Sequence, residues 1–213
     1  MSIPFEPWIK YPALTAERLS AIANIIRTTR QRTVLLHDQE GGDNEWSLGC
    51  RAYARTCHAI RQATNQYSWL TVLLEEDKPL RFTFAVGHIP VRFFHGEADD
   101  APGHYCTVTG IEANQIQLAL QIDGIELTGQ LLRLAVVTDV AREVNKVVLV
   151  ELTSETGLPT GVYEIPFDLT PHNVIQLQSK PIDLPPLELE ALPTKEELES
   201  AEEQQKRKKR DAN

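Results

Sequence analysis

The hydrophobic periodicity of this 213-residue chain changes near residue 67, and no other feature limits the fold as much. Before that point apolar residues recur at three- and four-residue intervals, as on one face of a helix. Beyond it they alternate with polar residues, as on a strand. A chain patterned in this order is α+β, with helices first and strands behind them.

The helical part begins after an arm. Pro4, Pro7 and Pro12 exclude a helix from residues 1–14, yet Phe5, Trp8, Ile9 and Tyr11 give the arm apolar surface to bury across the domain. Thr15 is a good N-cap, and Leu19, Ile22, Ala23 and Ile26 follow at helical spacing, which predicts a helix over about 16–32. Gly41-Gly42-Asp43-Asn44 reads as a turn ending in a second cap. Trp46, Cys50, Tyr53, Cys57 and Ile60 then trace one stripe of a helix over 45–65, and this stripe is the expected buried face.

The strand part opens with Leu70–Glu75. Leu80–Val86 follows, and Gly87-His88 supplies a two-residue turn into Ile89–Phe94. Ile116, Leu118, Leu120 and Ile122 alternate with Gln115, Gln117 and Gln121 ahead of Asp123-Gly124, which predicts another strand and hairpin into Ile125–Thr128. Further strands are expected at Tyr105–Thr109, Leu131–Val137, Val147–Leu152, Gly161–Ile165 and Val174–Gln178. Short spacings favour antiparallel hairpins, because a parallel connection needs a crossover of a dozen or more residues. The expected architecture is an N-terminal helical pair on a mainly antiparallel β sandwich or open barrel. Three regions result: an arm and helical pair (1–66), a β-rich domain (67–182), and a disordered, charged tail (183–213) too poor in apolar groups to offset its ordering entropy.

Charge is unevenly spread. Basic and acidic residues number eight and six in 1–66, seven and fifteen in 67–182, and six and nine in 183–213, giving the net charge of −9. An acidic middle section lacks the Lys/Arg neutralisation that non-specific nucleic-acid binding requires. Arg51 and Arg55 of the second helix and the Lys206–Arg210 run are the places where such contact could occur. No apolar run reaches the ~18 residues of a membrane span, and the first residues do not form a secretory signal, so a cytoplasmic location is expected. Cys50, Cys57 and Cys106 contain no close pair, which argues for free thiols over a disulfide framework or zinc ribbon.

Reactive groups concentrate between His88 and Cys106. His88, His95, Glu97 and His104 are the candidate catalytic residues, and His95, Asp99 and His104 the candidate metal ligands, because imidazole and carboxylate together can hold a divalent ion or move a proton. Their spacing matches no standard zinc pattern. Glu76-Asp77-Lys78 has the E-x-K form of some metal-dependent nucleases, but Pro79 makes it a charged turn. Phosphate-loop and dinucleotide fingerprints are missing, so no cofactor is expected. On these grounds the leading expectation is a non-catalytic cytosolic interaction or regulatory protein, with a protein partner and with Trp8, Tyr11 and Trp69 as possible anchors. The alternative is a small metal-dependent hydrolase or nuclease-like effector, such as the toxic half of a toxin–antitoxin or phage-defence pair.

Overall fold

The computed structural model describes residues 3–73, 82–124 and 129–167. The arm contributes a two-residue strand, β1 (Ile3–Pro4), and one helical turn, α1 (Pro7–Lys10). The arm was expected to have no helix. Pro7 starts one because a proline at the first helical position gives up only an N–H that would have no partner anyway. The helical pair follows as α2 (Ala16–Leu35) and α3 (Glu45–Ala63). Thr15 caps α2 by accepting from the Arg18 N–H, and Asn44 forms a reciprocal capping box with Ser47.

The strands are β2 (Leu70–Leu73), β3 (Thr83–Val86), β4 (Ile89–His95), β5 (Gln130–Thr138), β6 (Val144–Thr153) and β7 (Pro159–Ile165). They form one open sheet in the order β1-β7-β6-β5-β4-β3-β2, and among the described residues no second sheet packs on it. Most neighbours are antiparallel, but β1 runs parallel to β7 and β4 parallel to β5. The β3–β4 hairpin turns at Gly87-His88, with Gly87 in the left-handed region at φ 60°.

Between the parallel strands lies α4 (Gly110–Asp123), where the alternation of Ile116 to Ile122 had suggested a strand. Thr109 and Glu112 close a capping box at its start, and Gly124, at φ 66°, ends it in the left-handed conformation. The apparent strand face is not the buried one: Leu118, Leu120 and Ile122 are exposed, whereas Ala119, from the alternate set, is enclosed. The expected strand at Tyr105–Thr109 is likewise replaced, by a turn of 3-10 helix at Gly103–Tyr105 and by the cap of α4. Both corrections have one cause, since a β4–β5 parallel pair demands a long crossover.

The central strands are buried on both faces. On one, Val91, Phe93, Leu132, Leu134, Val147 and Leu149 meet Leu19, Ile22 and Ile26 of α2 and Ile60 of α3. On the other, Phe94, Ala135, Val148 and Val150 pack with Tyr105. Helices and sheet belong to one compact unit running to Thr170. The arm crosses the edge as expected: a Cβ on Gly161 would lie 2.7 Å from the Phe5 ring, so the bare glycine lets Phe5 lie flat there. Tyr11 donates to Glu151, which Lys10 also binds.

The buried stripe of α3 is rotated from its expected position. Leu48, Ala52, Thr56, Ile60 and Ala63 face the core, while Trp46 is 77% exposed and Cys50 lies at the surface. Tyr53 and Cys57 flank the interior and pack against it. Small Ala52 and Thr56 are the residues of this helix turned inward beside Leu48, Ile60 and Ala63, and the large Trp46 is left outside. Expected features at Glu76–Lys78, Ile125–Thr128, Val174–Gln178 and 183–213 lie outside the described residues.

A buried ionic triad ties α4 to the sheet. Arg92 and Arg133 are register neighbours on β4 and β5, and both are essentially inaccessible. Glu112, in the first turn of α4, sits between them at 2.6 Å from Arg133 and 3.7 Å from Arg92. Glu112→Ala should therefore lower unfolding free energy by about 3–5 kcal/mol, because two buried cations lose their counter-charge. The exposed control Glu164→Ala should stay within about 0.5 kcal/mol in the same urea titrations.

Candidate functional site

β4 and β5 both end at the same edge of the sheet, and the chain leaving β4 must travel to α4 before it can return as β5. That excursion leaves a hollow beyond the strand ends, the place where sheets with parallel crossovers bind ligands. A cavity of about 320 Å³ occupies it. Phe93, Phe94 and Val136 form its floor at the sheet, Ile26, Ala52, Tyr53 and Thr56 its helical wall, and Pro102, His104 and Tyr105 its cover. The cover is fixed from beneath: Arg133 Nε donates to the Tyr105 carbonyl at 2.8 Å, and the Arg92 guanidinium stacks 4.6 Å from the Tyr105 ring centre.

One cation stands in this apolar setting. Arg30 of α2 is 8% exposed and its Nε donates to the Arg142 carbonyl at 2.9 Å. Arg142 occupies the left-handed region at φ 66°, uncommon for a residue with a side chain, in the turn between β5 and β6. Its guanidinium reaches Glu45 at the start of α3, so helix, turn and Arg30 are locked together. Burial pulls the Arg30 pKa below its ordinary value, Glu45 opposing and Arg142 reinforcing the shift, although an arginine stays charged at any physiological pH.

His95 ends β4 beside it, with Nε2 2.9 Å from the Thr138 hydroxyl that ends β5. Desolvation and then the Arg30 charge hold this imidazole below the usual histidine range, and Glu45 acts the other way. His95 is neutral at neutral pH and can donate at one ring nitrogen and accept at the other. Tyr53 accepts from the Phe82 N–H at 3.2 Å, and its phenol is pushed upward, first by burial. Among the described residues no carboxylate, lysine, serine or cysteine lines the cavity.

Of the residues singled out from the sequence, His95 and His104 come to this one cavity. His88 sits in the β3–β4 turn, beside a separate hollow shared with Trp69 and Gln115. Glu97 lies 3.8 Å from Lys146, and Asp99 is exposed on the loop between β4 and α4. Among the described residues no set of three His, Cys, Asp or Glu side chains is gathered as for a metal ion, and no helix is long and apolar enough to cross a membrane. Arg51 is held by Asp43 at 2.5 Å, whereas Arg55 is exposed. Of the proposed anchors, Tyr11 is buried in the core and Trp8 packs edge-on against Tyr163. Sequence reasoning missed Arg30 and Gly49. A basic residue inside the Ile22–Thr33 face, and a glycine inside a helix, were the available signals.

The three thiols should separate cleanly by reactivity. Burial raises the Cys57 thiol to about 11, which leaves about one part in a thousand ionised at pH 8. Exposed Cys50 should react first with a disulfide reagent, and Cys57 roughly 100-fold more slowly. Stopped-flow labelling of single-cysteine variants measures both rates, and comparable rates would show that the Cys57 region opens. Compared with known proteins, the chain matches no family model, and no curated protein or solved structure is similar to it.

Proposed function

We propose that this chain is a non-catalytic binding protein of a regulatory kind, in which the cavity at the ends of β4 and β5 receives a small, mostly apolar ligand and a protein partner responds to its occupancy. The observation that carries this reading is the lining: a mainly aromatic and aliphatic hollow of about 320 Å³ with, among the described residues, no carboxylate, lysine, serine or cysteine. Binding sites for small molecules have this composition, and their volumes run from about 300 to 1,000 Å³. Neutral indole, titrated into the ¹⁵N-labelled protein, should shift amides of Gly49, His95 and Tyr105. Ala52→Leu, which fills the cavity, should abolish those shifts while leaving stability unchanged or raising it by about 0.5–2 kcal/mol. Indole shifts spread over the surface, or undiminished in Ala52→Leu, would overturn the proposal.

The second reading, a hydrolase or nuclease-like effector, is favoured by one observation: His95 and His104 line the same cavity. Two imidazoles there could divide the roles of general base and general acid. This reading expects expression of the chain to inhibit growth and the double variant His95→Ala/His104→Ala to relieve that inhibition. Inhibition that persists in the double variant would remove this site from consideration.

A further inference from the structure

Arg30 is the feature that the apolar cavity does not explain. Its side chain is mostly covered, but the terminal amino groups still reach solvent, where an anion can take the place of water. Among the described residues Arg30 has the single Arg142 carbonyl, bound at Nε, and this bond fixes the plane of the guanidinium while leaving its terminal amino groups to face elsewhere. The acid that acts on its charge, Glu45, is 69% exposed and is bound by Arg142. The cavity wall supplies no carboxylate to complete the pairing.

Gly49 is a second, independent observation. It lies within α3 and lines the cavity, where glycine weakens a helix relative to alanine. A Cβ added there would meet no atom within 4 Å, so no protein packing requires the glycine. The space it leaves lies at the cavity mouth, where something other than protein can approach the helix closely.

We infer that the cavity takes a small aromatic carboxylate, its anionic end on the Arg30 guanidinium beside His95 and its ring among Tyr53, Phe93, Phe94 and Tyr105. The inference rests on reading the cavity as a binding site. A carboxylate matches the planar guanidinium in charge and in fork geometry, and the aromatic walls accept a ring by edge and face contacts. A phosphate would bring more charge and leave oxygens unpaired against apolar walls.

The test is a matched series, 3-phenylpropanoate, 3-phenylpropanamide and 3-phenylpropylamine, titrated into the full ¹⁵N-labelled chain at pH 7.5, with affinities read from the shifts of Gly49, His95 and Tyr105. The acid is expected to bind at least tenfold more tightly than the amide, with the amine weakest. Arg30→Met should bring acid and amide within twofold while indole still binds. Equal binding of acid and amide by the unaltered protein at those residues would overturn the carboxylate assignment and leave the cavity reading intact. If neither these compounds nor indole shifts the lining residues, the cavity reading falls and this inference with it. Should Arg30→Met fail to fold, the acid-to-amide ratio of the unaltered protein decides alone.

Discussion

Two arginines side by side in the middle of a sheet, sealed from water, would disrupt almost any fold. In this one they organise it. Arg92 and Arg133 face each other across the parallel β4–β5 pair, and Glu112 supplies the counter-charge that makes their burial tolerable. The same carboxylate accepts from the Thr109 N–H, so one side chain both starts α4 and anchors it on the strands. Arg133 Nη1 also donates to its neighbour's carbonyl on Leu132, while Arg92 Nη1 reaches the carbonyl of His104. Satisfaction is incomplete, since Arg92 Nε and Arg133 Nη2 are buried without a partner among the described residues. Buried ion pairs of this sort add little net stability over apolar replacements. What this one contributes is position, because the crossover between parallel strands has to dock somewhere, and the triad allows one register.

The cavity inherits that position. Its cover consists of residues that the triad holds by their backbone, and its floor consists of the strands from which the arginines project to the other side. The sheet therefore separates two kinds of buried cation. On the α4 side the guanidinium groups are matched by Glu112. On the α2 side Arg30 is held by one carbonyl and has no acid in the cavity wall. This asymmetry distinguishes a structural charge from one available to a ligand, and burial alone would not have separated them.

How much of this was legible depended on whether the deciding signal was local. Thr15 and Asn44 announced their helices because a cap acts within one turn. Gly87-His88 announced its hairpin because a two-residue turn needs the left-handed glycine it has. The crossover was misread because Ile116, Leu118, Leu120 and Ile122 alternate with glutamines as a strand would, while the helix buries Ala119 and leaves Leu120 and Ile122 half exposed. The Thr109–Glu112 pair at capping-box spacing was the contrary local evidence. The face of α3 was misplaced for a different reason: Trp46 and Cys50 outweigh small Ala52 and Thr56 in any hydrophobic tally, although the small residues are the ones turned inward. For the site, His95 and His104 could be found as a local concentration, whereas Arg30 becomes distinctive only when three separate elements enclose it.

The charge pattern also changes meaning once the structure is in view. The chain is acidic overall, and three of its arginines, Arg30, Arg92 and Arg133, are withdrawn from the surface. Buried Glu112 and Glu151 largely offset them, so what solvent sees stays acidic, close to the sequence count. Such a surface gives an approaching anion no long-range steering, but at physiological salt the field of exposed charges fades within about 8 Å. Inside the cavity the apolar walls screen Arg30 far less, so its attraction acts at short range and with full effect on whatever has already entered. Entry would then be governed by apolar fit, and retention by charge. On the proposed reading, a protein built this way would discriminate among small molecules by requiring both properties in one compound, which neither a bare hydrophobic pocket nor a basic surface patch can do.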